Sequence, residues 1–470
     1  TATLDVNGGT VSGALDNSAT VTFAGTMTGD VANTGSFTVD GDSTMAGDFD
    51  NEAGGTLTVN EDLTGITTLT NTGAGSTVTV GGGATLGATN IDNSATFSSL
   101  NNSVVSTGTF DNETGGFFTN AGDFDATGAV TNDNQITNTS TGTFDADALT
   151  NSGTFTNTGG VVGATDPLIV QNSGTISNQG TGTFGAVTVN NTTGGVVTNA
   201  SDATMTMTAL TNAATVTNQG MFTAEEIETT GTFTNTDGTV TVTGLEGLEN
   251  GGTLTNQSDG VVTTTLLDNS GNLSNLDTSV FNAAEVTNGG PTASLVNQGD
   301  FNVTGMVSNT GSITTSGTFD SGLLQNYLSF VNDGGTVGGT AADAIDNDGT
   351  LTNQNAGVLN ATDIDNSGNF SNLDTSVVNT ATFDNEGAGS LVNQGDFNAS
   401  GAVTNLNSIN NTGTFDAASI DNDATFVNDG GTVGGTTPGS IDSSDTLTNQ
   451  NDAELTATTI TNSGTLSNLD

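Results

Sequence analysis

One pattern recurs from end to end of this chain: an apolar residue, one polar residue, an Asn, then a small or acidic residue. It constrains the fold more than anything else in the sequence. The apolar anchors begin at Leu15 and end at Ile460; there are 24 of them, about 19 residues apart. Two positions after the anchor stands Asn, replaced only at Thr229 and Ser443. Segments such as GTFTN (153–157) and GTLTN (252–256) alternate Thr with apolar residues, the period-2 signature of a half-buried strand. Asn-Ser-Gly, Asn-Gln-Gly and Asp-Gly-Gly bound them, residues that tolerate the left-handed backbone of tight corners. Strands this short at constant spacing leave no room for crossover helices. The expected fold is therefore all-β, a parallel β-helix (β-solenoid) of about 24 coils with ~19 residues per coil.

Stacked coils lie ~4.8 Å apart, so an Asn recurring at one position can donate its amide to one neighbour and accept from the other. A buried amide left unpaired costs ~1–3 kcal/mol, whereas a paired one contributes roughly 0.5–1.5 kcal/mol. The expected ladder includes Asn151, Asn172, Asn269, Asn288, Asn309, Asn326, Asn347, Asn366, Asn385, Asn405, Asn422 and Asn462. Eight residues after many anchors a second Asn column is indicated, from Asn157 and Asn178 to Asn428 and Asn449. Phe144, Phe155 and Phe184, each in a GTF triplet, read as stacked core aromatics.

The NSGTFTN and NSGTISNQG repeats resemble those of filamentous-haemagglutinin-like adhesins and autotransporter passengers, over essentially the whole chain. That resemblance implies a right-handed, three-sided β-helix, secreted to a bacterial surface or into an extracellular filament.

The repeats form one continuous solenoid with three textures. Coils are irregular over 1–90 and regular over 91–247. Over 248–470 a five-coil super-repeat of 96–97 residues appears. There NSGNLSNLDTSV (269–280) returns as NSGNFSNLDTSV (366–377), and FVNDGGTVGGT occurs at 330–340 and at 426–436. The sequence stops in mid-unit, as expected of a segment of a longer chain or of a subunit that stacks head to tail.

Charge narrows the partners. The chain has no Lys, Arg or His and 51 acidic residues, a net charge of −51. Nucleic acid recognition relies on Lys and Arg and is excluded; anionic membrane surfaces are disfavoured likewise. No apolar run is long enough to enter a bilayer as a helix. The partners expected are the chain itself, end to end or side by side, and a host or environmental surface.

Catalysis finds few materials. A nucleophilic triad lacks its His or Lys base. Paired carboxylates could cleave glycans, but coils that barely vary in length offer no active-site loops, and a single Tyr with no Trp offers no sugar platform. We expect no enzyme and no cofactor, with Ca2+ as the one candidate ion. The residue after the anchor is often Asp, and in consecutive coils Asp346, Asp365 and Asp384 would point outward ~4.8 Å apart. Such a column is either a solvated acidic edge or one bridged by cations. Two other acidic groups stand out. Asp40, Asp42, Asp48, Asp50 and Glu52 form a loose candidate cation site, and Glu225, Glu226 and Glu228 read as a helical turn at a corner. The expected role is the non-enzymatic, rod-like stalk of a surface adhesin or filament. The alternatives are a self-assembling fibre subunit and a calcium- or glycan-binding module.

Overall fold

The computed structural model describes residues 3–164, 168–338, 344–434 and 439–469. All regular structure among them is β-strand, and the strands of successive coils pair in parallel. The winding is that of a β-solenoid of about 24 turns. The chain divides into two compact units, one of 1–233 with 238–240, the other of 234–237 with 241–470.

In the first unit each coil turns through three faces. The anchor face is built from strands such as Val31–Asn33, which pairs with Phe49–Asn51 in the next coil. A two- to five-residue corner leads to the second face, where Gln135–Asn138 pairs with Thr154–Thr158. A second corner leads to the third face, which in most coils runs on into the anchor face within one bent strand, as in Leu63–Asn71, Thr85–Asn93 and Thr204–Asn212. In Thr143–Asn151, Phe144 and Ala146 point inward on the third face, Leu149 and Asn151 on the anchor face.

The corner after the anchor Asn shows why Gly is needed. A Cβ on Gly174 would sit 2.1 Å from the carbonyl oxygen of Gly153, one coil back. Only a residue without a side chain lets successive corners stack so closely.

The core of this unit is a run of Phe rings from Phe97 to Phe184, with neighbouring centroids 4.8–6.1 Å apart. The three GTF aromatics do not share one stack. Phe144 lies on the third face, parallel to Phe124 at 14°, and meets Phe155 of the second face edge-on at 76°. Phe184 meets Phe155 edge-on as well. The residues Glu225, Glu226 and Glu228 form no helical turn. They belong to the strand Met221–Thr229, in which Phe222, Ala224, Ile227 and Thr229 point inward and hold the backbone extended around the bend.

The second unit has the same three faces. The anchor-face strands Ala344–Asn347, Asp363–Asn366 and Thr382–Asn385 pair in register. On the third face Phe281, Phe301 and Phe319 stack nearly parallel, with centroids 4.9 and 5.4 Å apart. Phe397 and Phe415 do so at 4.8 Å, five coils later.

Candidate functional site

Three features of this fold can carry chemistry: the inner amide columns, an acidic patch on the anchor face, and two grooves in the second unit, one on its third face and one at the corner between its second and third faces.

The first amide column runs as expected. Asn17 donates Nδ2 to Oδ1 of Asn33 at 2.7 Å, and the pattern continues in one direction through Asn151, Asn172 and Asn191 to Asn212, which donates to the Thr229 hydroxyl. In the second unit it runs through Asn269, Asn288, Asn309, Asn326, Asn347, Asn366, Asn385, Asn405 and Asn422 to the hydroxyl of Ser443. Asn462 stands in register with Ser443, exposed, and donates to the Gly464 carbonyl.

The second column lies on the second face. It contains the expected Asn157 and Asn178 and also Asn120, Asn138, Asn199, Asn297, Asn393 and Asn411. Each Nδ2 also reaches backbone carbonyls at the following corner. Asn138 Nδ2 lies 2.9 Å from Asn157 Oδ1 and 3.1 Å from both Gly142 O and Val161 O. Because every amide donates toward the C-terminus, the first Asn of a run has no amide behind it. The buried Oδ1 atoms of Asn120, Asn250 and Asn332, each at the head of a run, have no donor among the described residues.

On the anchor face Asp346, Asp365 and Asp384 do align in adjacent coils. The tightest acidic group, however, is Asp363, Asp365 and Asp384, each with a carboxylate oxygen within 4.8 Å of the others. Asp363 belongs because residues i and i+2 of a strand share a face; a search along the anchor column alone misses it. Burial pushes the Asp365 carboxyl up from its ordinary range, and the charges of Asp363, Asp384, Glu386 and Asp346 add to the effect. Asp346 is raised by burial and by Asp348, while a hydrogen bond from Gln325 acts against both. Thr382 donates its hydroxyl to Asp363. Hard oxygen donors of this kind suit Ca2+. The other acidic group does not converge among the described residues: Asp40 accepts from Asn60 at 2.7 Å and Asp48 from the Thr68 amide at 3.1 Å.

The first groove, of about 500 Å3, is lined by Asn360, Asn379, Asn398, Ala361, Ala381 and Ser400 among others. Here the outward amides form a ladder of opposite sense. Asn398 donates to Asn379 at 3.1 Å, and Asn379 to Asn360 at 2.9 Å. The second groove, of about 390 Å3, is a notch at the corner between the second and third faces, and includes Asp277, Thr278, Gln298, Gly299, Asp300 and Gly317. Neither groove was predicted, since outward residues leave no periodic signal beyond alternation.

No protein-family model, no curated protein and no solved structure matches the chain.

Proposed function

We propose that the chain is the stalk-forming part of a non-enzymatic, extracellular surface protein, of the filamentous-haemagglutinin-like or autotransporter-passenger type. Its mechanism is mechanical. Stacked coils bonded strand to strand resist bending, and the outward Thr, Asn and Asp present a hydrated surface. The observation that carries this reading is the inner amide column, unbroken from Asn250 to Asn422 in the second unit. A column of this kind consumes one buried polar side chain per coil and gives back register and stiffness rather than a reactive group.

Negative-stain electron microscopy of the purified chain, with surface labelling of the producing cell, tests the proposal. Extended particles of fixed length and a label at the cell exterior support it. Filaments of unlimited length favour the self-assembling fibre, and a compact particle or a cytoplasmic label refutes both. With no Lys or Arg, trypsin has no site in the chain, folded or not.

The trio Asp363, Asp365 and Asp384 favours a second reading, a calcium-stiffened edge. Three carboxylates with oxygens within 4.8 Å of one another repel, and a divalent cation would remove that repulsion. Calcium titration followed by calorimetry and melting temperature decides it. Binding that Asp365→Asn abolishes supports the reading; no heat and no shift eliminate it.

A further inference from the structure

The super-repeat places two copies of five coils inside the second unit, and their outward residues differ by face. On the anchor face most outward pairs have changed between the copies, among them Leu266/Asp363, Glu285/Thr382, Thr287/Asp384, Met306/Ala402, Leu323/Ser419 and Gln325/Asp421, while Asp268/Asp365 and Asp346/Asp442 are kept. Their inward neighbours remain apolar or Asn. On the third face Asn282/Asn379, Asp300/Asp396, Asn302/Asn398 and Thr318/Thr414 are unchanged, and on the second face Ser274/Ser371, Ser294/Ser390 and Val296/Val392 are too. Packing holds inward residues in place, but an outward side chain on a solenoid has no core to satisfy. Drift since duplication would strike every face alike. Retention that is far greater on two faces than on the anchor face marks a surface that meets something.

The notch lies where those two faces join. It lies where two-residue corners, 298–299, 316–317 and 334–335, follow the four-residue corner 276–279. The second copy repeats the arrangement at 373–376, 394–395 and 412–413. The lining repeats as well: Asp277, Thr278, Gln298 and Asp300 return as Asp374, Thr375, Gln394 and Asp396.

Some of this has a purely structural cause. Asp277 and Asp374 occupy the left-handed region, which Asp tolerates, and a Cβ on Gly317 would meet the Gly299 carbonyl oxygen at 2.1 Å. Structure does not explain the rest. Thr278 donates to Asp259 at 2.7 Å and to the Ser258 carbonyl at 3.1 Å; Asp259 is Ala356 in the second copy, where Thr375 is kept. Gln298, Asp300, Gln394 and Asp396 are exposed.

We propose that the two notches are equivalent binding sites for an uncharged polysaccharide. This goes beyond a spacer role, and its failure would leave the stalk reading untouched. Three observations select the ligand. A chain with 51 acidic residues and no cationic side chain repels a phosphorylated, sulfated or carboxylated polymer. The lining consists of hydroxyls, one amide, two carboxylates and bare glycine backbone, the groups that pair with sugar hydroxyls, and its 390 Å3 falls in the range of small-ligand sites. On the anchor face charge is gained or lost at four of the changed pairs, although Asp268/Asp365 and Asp346/Asp442 stay, whereas the other two faces keep their hydroxyls and amides together with Asp300/Asp396. That favours hydrogen bonding over attraction of a basic partner. The notches recur after five coils, ~24 Å along the stack at ~4.8 Å per coil, a spacing suited to a polymer that repeats.

Titration calorimetry of the intact chain with short neutral glucan, mannan, galactan and xylan oligosaccharides, and with the parent polysaccharides, tests this. One oligosaccharide class should bind at two equivalents per chain. The pair Gln298→Ala/Asp300→Ala, or the pair Gln394→Ala/Asp396→Ala, should leave one equivalent at unchanged affinity, and all four substitutions together none. The polysaccharide should bind at least ~10-fold more tightly than the oligosaccharide, and either single-notch variant should remove that gain. Circular dichroism identical to wild type keeps the variants interpretable, since all four side chains are exposed. Absence of binding by the whole panel, or full binding by the four-site variant, overturns the proposal. So does binding of a short basic peptide at two equivalents that the four-site variant loses, which would assign the notches to a basic polypeptide.

Discussion

Within the first unit one column position is filled in two ways. At the end of each second-face strand the early coils place Phe23, Val39, Val59 and Val80, and the later ones Asn120, Asn138, Asn157, Asn178 and Asn199, with Ser99 between them. The coil closes either way, so the amide is not what makes the turn. The difference lies in where the corner finds its hydrogen bonds. In early coils the corner's own side chains supply them: Ser43 donates to the Gly41 carbonyl at 2.7 Å, Asn60 to Asp40 at 2.7 Å, and Asp62 accepts from the Thr85 amide at 2.9 Å. In later coils the inner amide serves the corner from within, as Asn138 does for Gly142 and Val161. The acidic stretch near Asp40 is turn chemistry for coils that lack the amide.

The largest effect should come from making a late coil resemble an early one. Asn138→Leu removes the donor to Asn157 Oδ1, Gly142 O and Val161 O and the acceptor of Asn120. Each orphaned buried group costs ~1–3 kcal/mol, and added apolar contact offsets part of that, so a net loss of about 3 kcal/mol is expected. Hydrogen exchange of the backbone amides in coils 120–183 should accelerate first. If denaturant stability and exchange stay at wild-type values, the two versions of the column are interchangeable and the comparison fails.

A natural gap in the second unit tests the same point at smaller scale. Asn297 donates to the Thr315 hydroxyl at 3.0 Å, and the next residue in the column, Asn332, has its Oδ1 unserved. In the second copy Asn411 fills the position of Thr315, and Asn393, Asn411 and Asn428 run without a break at 2.7 and 2.8 Å. Thr315→Asn should therefore stabilise the second unit by about 1 kcal/mol, and Asn411→Thr should destabilise it by about as much. Paired denaturant melts of the two variants measure both signs at once.

Acidity separates the columns from the surface, because neither Val nor Asn titrates. Asp111 is raised above 3.8 by burial, then by Glu113, Asp92 and Asp133, and Asp92 is raised by burial. A carboxyl raised in the folded state binds protons more readily folded than unfolded. Its penalty is therefore full at neutral pH and disappears as pH falls through the folded value toward 3.8. The first unit should gain stability on mild acidification. Asp111→Asn should flatten that gain and add about 0.5 kcal/mol or less at neutral pH, given solvent screening. A melting temperature that falls between neutral pH and the carboxylate range would contradict this.

Much of this was legible beforehand. The anchors and the first Asn column were readable because one apolar and one amide position recur in nearly every coil. The second column was only half visible. Corner lengths between the anchor and second faces vary, so Asn120, reached through the four-residue corner 113–116, falls off the eight-residue offset that Asn157 obeys across 152–153. Asp363 stayed hidden because it shares a strand face with Asp365 rather than a repeat position. The notch lies where short corners are neighbours, which no single repeat can show.

The smallest effect is expected where the two regions meet. Ser99 stands in register between Val80 and Asn120, and its hydroxyl lies 2.7 Å from that of Ser103. Ser99→Asn would supply the donor that Asn120 Oδ1 lacks, worth roughly 0.5–1.5 kcal/mol. The new Oδ1 at 99 would then face Val80 and become the open head of the run, while Ser103 keeps its bond to Leu100 O at 2.6 Å. A directional ladder that starts against an apolar column always leaves one acceptor open, and lengthening it only moves the opening. The change should stay within about 0.5 kcal/mol of zero, in contrast to Thr315→Asn, which fills a gap between two amides. A gain of a full kilocalorie would mean that the open acceptor can be satisfied from outside the column. The head of the first column shows how that is done, for there the Ala19 backbone amide donates to Asn17 Oδ1 at 3.0 Å.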